Sequence, residues 1–335
     1  MSGPAEPAAA RVRVAFIGCG GNARAHVQSM LQVPEAQVVA LCDVSAEAMD
    51  LAAQRLPGVV ELPRFTDYRE MFAAVGPDAV VISIPHTLHY EAAAYALEHG
   101  AHVQVEKPMA CSTAEARGLI ERRDRTGRVL LVGYQRHYEG SYRWLRDAVT
   151  SGRYGTVHFI EAWQAQDWKG RGWRGVPELS GGGQLNDSGS HLVDVVFWTS
   201  GLRPDQAFAF THNRGRRVDV LSSIAFRAEN GAIGNIAVIG EHPHGLAEGL
   251  QIWCRDARFT LDDSGVQVQL VGKAPEGVPP DQLVAYPSDK DANFIRAILG
   301  REPVQVTAED GLLVAAFTEA VYESVRRGSP AAVSL

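Results

Sequence analysis

The chain holds 335 residues, of which 46% are hydrophobic and 21% charged, the balance of a globular protein. That length exceeds what one hydrophobic core usually supports, so two domains are expected. A net charge of -7 argues against nucleic acid or an anionic membrane as a partner, and no apolar run approaches the ~18 residues of a membrane span.

In chain order, Met1 to Ala10 lacks the basic start and long apolar stretch of a signal peptide and reads as a disordered lead-in. From Val12 onward two textures alternate. β-Branched runs at residues 12–17, 37–42, 79–84, 101–105 and 129–132 read as buried parallel strands. Ala-rich stretches with a 3.6-residue period, at 46–55, 88–99 and 113–124, read as helices between them. Strand and helix in repetition imply a parallel sheet covered on both faces.

The texture changes after Gly133. A helix over 142–150 and a strand over 156–166 are followed by an irregular stretch rich in Trp, Gly and Arg, then a helix over 185–199. From 205 to 286 the runs read as strands joined by turns, with Glu229-Asn230-Gly231 and Asp263-Ser264-Gly265 as hairpin signals. Helices over 290–299 and 308–326 close the chain, capped by Asp289 and by Thr307 with Asp310 three residues on. The expected division is residues 11–135 and residues 136–335.

Four cysteines, Cys19, Cys42, Cys111 and Cys254, make no Cys-x-x-Cys pair. Their spacing suits neither zinc nor a disulfide framework, so reduced, buried thiols in a cytoplasmic protein are expected.

The stretch Gly18-Cys19-Gly20-Gly21-Asn22-Ala23 follows the first strand and opens the first helix. There the backbone must turn tightly and approach a pyrophosphate, which suits residues without a Cβ, and the helix N-terminus favours phosphate. Asp43 ends the second strand, 25 residues after Gly18. An acid there can accept both adenosine ribose hydroxyls and repel a 2′-phosphate, favouring NAD over NADP; it could equally cap the next helix. Glu106-Lys107-Pro108 ends the fifth strand, where ligands of open parallel sheets bind. A surface Glu–Lys pair is the bland alternative there.

Asp187, His191 and Asp194 are spaced to share a helix face, so a carboxylate could fix the imidazole tautomer. Metal binding or a structural histidine are the alternatives. Gly181-Gly182-Gly183 upstream would let a ligand approach closely. Trp163, Trp168, Trp173 and Arg174 could stack on and bond to a sugar, although each Trp alone reads as core or interface.

These pieces in this order resemble the Gfo/Idh/MocA family. The resemblance spans nearly the whole chain and includes Ile84-Pro85-His86-Thr87-Leu88-His89, Glu106-Lys107-Pro108, Trp173-Arg174 and Gly181 to Asp194. It implies an α/β protein with an N-terminal doubly wound Rossmann sheet. A C-terminal α+β domain on a large, mostly antiparallel open sheet would form a homo-oligomer, a dimer or tetramer. It implies oxidation of a sugar, cyclitol or polyol hydroxyl with NAD. Gly18, Gly20, Gly21, Asn22, Ala23, Asp43, Ile84, Pro85, His89, Glu106, Lys107, Trp173 and Arg174 would meet the cofactor. Lys107, Arg174, Asp187 and His191 would meet the substrate, with Lys107, Asp187 and His191 catalytic and no metal. His86 departs from the family, where many members carry Asn. Family outliers cleave glycosides through transient oxidation or act as sensors.

Overall fold

The computed structural model describes residues 11–335, so the lead-in at residues 1–10 lies outside the described residues. The first part alternates β1 (Val12–Ile17), α1 (Gly21–Met30), β2 (Ala36–Cys42), α2 (Ala46–Arg55), β3 (Arg64–Phe65) and α3 (Tyr68–Val75). It continues through β4 (Ala79–Ile82), α4 (His89–Glu98), β5 (His102–Val105), α5 (Thr113–Thr126) and β6 (Leu130–Val132). The strands pair in parallel in the order β3-β2-β1-β4-β5-β6. All of β4 and most of β1 are buried, which is why they read as unbroken apolar runs. Strand order reverses between β1 and β4, and this switch point opens the crevice where an α/β sheet binds ligands. The two-residue β3 is too short to leave a sequence pattern.

The second part runs α6 (Gly140–Thr150), β7 (Val157–Asp167), α7 (Pro177–Ser180), α8 (Gly189–Ser200), β8 (Pro204–His212), β9 (Leu221–Ala228) and β10 (Ile233–Ile239). It ends with β11 (Glu241–Cys254), β12 (Ala257–Asp262), β13 (Gly265–Leu270), β14 (Glu276–Gly277), α9 (Lys290–Ile298), α10 (Ala308–Arg327) and β15 (Ala331–Ala332). Its nine-stranded sheet has the order β14-β13-β12-β11-β7-β10-β9-β8-β15. Neighbours are antiparallel except β7 and β10. Both expected hairpin turns are present, joining β9 to β10 and β12 to β13. Asp289 caps α9, and Thr307 with Asp310 forms the reciprocal cap of α10.

Burial alternates along β9 and β10. The inner face packs beneath α8 and α10, with Phe197, Phe226 and Phe317 edge to face. The other face leaves Trp163, Ile233, Ile239 and Phe210 in the open, Phe210 by 72%. One helix crosses back. Phe294 and Ile295 of α9 are fully buried against Val14, Phe16, Val27 and Met30 of the parallel-sheet core.

Candidate active site

The carboxyl ends of β1, β2, β4 and β5 open into a cleft of about 670 Å³. At Gly18 the backbone has φ +98°, and a Cβ would lie 2.1 Å from the Ser83 carbonyl oxygen, so only glycine fits. Gly20 and Gly21 line the cleft with nothing within 4 Å of a Cβ. No side chain caps α1 and no acid lies in its first turn, which leaves the first N–H groups free for a ligand. Asp43 sits just past β2. Its Oδ2 accepts from the Cys19 N–H at 2.7 Å and its Oδ1 from the Ser45 N–H at 2.9 Å. The cap of α2 is Ser45, so Asp43 braces the glycine loop while still lining the cleft.

These parts fit a dinucleotide: a glycine cradle with open space, an uncapped helix end for pyrophosphate, and a carboxylate for ribose hydroxyls. Asn22, Ile84, Pro85, His89, Glu106, Lys107, Trp173 and Arg174 line the same cleft. Ala23 does not. It is fully buried in α1, where its small size lets the helix pack closely on the sheet.

Lys107 and Asp187 meet directly, Nζ donating to Oδ1 at 2.9 Å. Asp187 Oδ2 accepts from Trp168 Nε1 at 2.7 Å and from Arg174 Nε at 2.8 Å. Burial works against this carboxylate's charge, but Lys107, Arg174 and the indole N–H outweigh it and hold the group well below the usual carboxylate range.

The expected Asp187–His191 partnership is corrected. The helix starts at Gly189 rather than near 185, so Asp187 stands before it and the four-residue spacing places no shared face. The carboxylate is taken by Lys107, Trp168 and Arg174. His191 packs edge-on to Tyr134, and its Nδ1 is buried without a partner. Burial, followed by the charges of Lys107 and Arg136, pushes its pKa well below the ordinary imidazole value.

Asp194 points elsewhere, paired with buried His137 at 3.0 Å. The triple glycine is required by packing: a Cβ at Gly183 would lie 2.1 Å from the Asp219 carbonyl oxygen. Of the tryptophans, Trp168 is buried as expected but also holds Asp187, whereas Trp163 lies on the open sheet face.

His86 joins the same node. Its Nδ1 donates to the Ser180 carbonyl at 3.1 Å, its Nε2 lies 3.6 Å from Asp187 Oδ1, and Trp173 stands edge-on at 4.6 Å. Burial, then His89, lowers its pKa to about 3. Glu106 Oε1 accepts from Lys290 and His26, each at 2.9 Å, and His26 Nδ1 reaches Asp291 Oδ1 at 2.5 Å.

A second cleft of about 380 Å³ adjoins Lys107, Asp187 and His191. It is lined by residues that the sequence reading did not single out, among them Arg136, Gln164, Gln166, Arg171 and Ser188. Arg136 Nη1, Gln164 Oε1, Gln166 Oε1, Ser188 Oγ and His191 Nδ1 are buried and lack partners in the protein. The available signal was Gln164 and Gln166 two residues apart, continuing the strand face of Ile160 and Ala162. Among the described residues, no three His, Cys, Asp or Glu side chains converge as a metal site.

Residues 12–134 match the oxidoreductase family with an NAD-binding Rossmann fold, and residues 142–260 match the GFO/IDH/MocA C-terminal domain. The chain is 31% identical to D-glucoside 3-dehydrogenase of Escherichia coli over 57% of its own length, which spans only 54% of that relative. It is 26% identical to inositol 2-dehydrogenase of Streptomyces avermitilis over 96% of this chain and 94% of that one. The WlbA dehydrogenase from Bordetella pertussis, solved with NADH and UDP-GlcNAcA, shares the fold with a TM-score of 0.86. That match has 24% identity and covers 97% of this chain and 98% of that one. With both regions matched in order, the chain belongs to the GFO/IDH/MocA oxidoreductase family.

Proposed function

We propose that the protein is an NAD-dependent dehydrogenase that moves hydride between the cofactor and a hydroxyl-bearing carbon of a sugar, cyclitol or related polyol. One observation carries the substrate class: the five unpartnered buried polar atoms around the second cleft. Buried polar groups without partners are costly, and a polyhydroxylated ligand would satisfy both donors and acceptors. The relatives named for glucoside and inositol oxidation support the same class.

Bound NAD would supply the hydride acceptor. Gly18, Gly20, Gly21 and Asn22 would hold its pyrophosphate and Asp43 its ribose, which favours NAD over NADP. Lys107 donates to the substrate oxygen and stabilises its developing negative charge. Asp187 fixes Lys107 in place, with Arg174 and Trp168 securing the carboxylate. His191, kept neutral, accepts the hydroxyl proton. Residues 11–135 form the cofactor unit and 136–335 the substrate and assembly unit.

The open sheet face bearing Trp163, Phe210 and Ile233 supports a homo-oligomer. The four free thiols support a cytoplasmic setting, and no helix among the described residues is long and apolar enough to cross a membrane. The test is a panel of sugars, inositols and glycosides assayed by nicotinamide absorbance. Net NADH formation with a polyol is expected; no reduction across the panel would defeat the proposal.

A further inference from the structure

The second cleft concentrates positive charge in an acidic protein. Lys107, Arg136, Arg171 and Arg174 line it, against Asp167 and Asp187. Residues behind the wall do not restore the balance. Glu248 pairs with Arg136 and Glu139 lies near both, whereas Lys169 lies 2.7 Å from Asp167 and Lys290 offsets Glu106. The neighbourhood keeps an excess of positive charge, although the whole chain carries -7.

Two of the cations keep N–H donors that no group among the described residues accepts. Arg136 is buried, with its Nε and Nη2 committed to Glu248 and its Nη1 bonded to nothing. Arg171 stands at the exposed lip, with no carboxylate in ion-pair distance among the described residues. Neither arginine lines the dinucleotide cleft, so cofactor phosphates do not account for them. A neutral polyol could accept from these donors, but an anion would form charge-assisted hydrogen bonds with both arginines, which are stronger.

We propose that the substrate is a polyhydroxylated ring bearing an anionic group, a carboxylate or a phosphate ester, recognised by Arg136 and Arg171. This rests on the dehydrogenase reading above. Arginine matches either group through planar, charge-assisted hydrogen bonds.

The experiment uses matched triplets of a neutral sugar, its uronate and its 6-phosphate, in the glucose and galactose series. NAD reduction is measured with the full-length enzyme, and the same ligands are tested for thermal stabilisation of the NADH-loaded protein. One anionic member is expected to exceed its neutral parent in kcat/KM by about tenfold or more, the scale of one charge-assisted hydrogen bond. Whether the uronate or the phosphate leads identifies the group. Arg171→Gln is expected to raise KM for the anionic member and erase most of that ratio. Arg136→Gln leaves Glu248 without its partner and can unfold the chain, so Arg171→Gln is the deciding variant.

Neutral sugars turned over as well as their anionic partners, or an unchanged ratio in Arg171→Gln, would overturn the anion site and leave the dehydrogenase standing. Selective stabilisation by the anionic ligands without NAD reduction would support the anion site and defeat the dehydrogenase reading. Equal stabilisation by all three members, or by none, would overturn the anion site whatever the activity.

Discussion

The two clefts that meet at Lys107 are built from different material. The cofactor cleft is mostly backbone: a left-handed Gly18, open space over Gly20 and Gly21, and uncapped amides at the start of α1. The second cleft is mostly side chain, with Arg136, Gln164 and the start of α8, Ser188 and His191, brought together and left with unpartnered atoms. Backbone recognition is fixed by a few adjacent residues and tolerates little change. Side-chain recognition is assembled at long range and can be altered one residue at a time without dismantling the fold.

The sharpest way to break this contrast is at Lys107. Lys107→Ala is expected to lower turnover by on the order of 10²–10⁴ while NAD binding, followed by titration, persists. His191→Ala should cost a comparable factor if it is the base, and much less if Lys107 transfers the proton itself. Near-normal activity in both variants would remove the catalytic assignment. On the backbone side, Gly18→Ala is expected to lose at least about 3 kcal/mol in urea unfolding, from its φ and its clash with Ser83. Gly20→Ala should keep its stability and lose NAD affinity. Similar stabilities for the two variants would contradict the assigned geometry.

A smaller effect is expected at Asp43. Asp43→Ser should narrow the NAD-over-NADP preference by about tenfold in competing titrations. Smaller still, Gln164→Leu should leave unfolding free energy unchanged or raise it by about 1 kcal/mol, while KM for the polyol rises. A large stability loss there would make Gln164 structural.

The fold was legible where patterns are local. The strand at Val12–Ile17 was read with its true bounds because a strand buried on both faces is uniformly apolar. The glycine loop and the cap at Thr307 were legible for the same reason. Asp187 was misjudged because helical spacing supplies a face only if the helix exists there, and the chain turns at Gly183 before Gly189 begins it. The Gln164–Gln166 spacing is visible but its meaning is not, and Arg136 leaves no pattern at all, because their significance is a missing partner that only the assembled packing reveals.

His86 lines the cofactor cleft and stands 3.6 Å from Asp187, and acid is expected to act through it. Below pH 6.5 the unfolded chain takes up a proton that folded His86 refuses until about pH 3. Folding is therefore progressively disfavoured as pH falls through that window. His26 and His137, both raised by acidic partners, contribute in the opposite sense. Thermal scans should show a shallower acid loss in His86→Gln than in the parent; the same slope would assign the acid loss to other groups.

The return of α9 to the parallel sheet has a consequence for synthesis. Phe294 and Ile295 finish a core whose first strand begins at Val12, and Asp291 reaches His26 on α1. A nascent chain that has emerged only as far as residue 135 holds every strand of the parallel sheet but not the side chains that close its α1 face. That first region is expected to keep apolar surface uncovered until α9 has left the ribosome. A fragment of residues 11–135 expressed alone is expected to aggregate or bind hydrophobic dye, and supplying residues 286–335 in trans is expected to reduce both. A soluble fragment that melts cooperatively on its own would show that the late helix is dispensable.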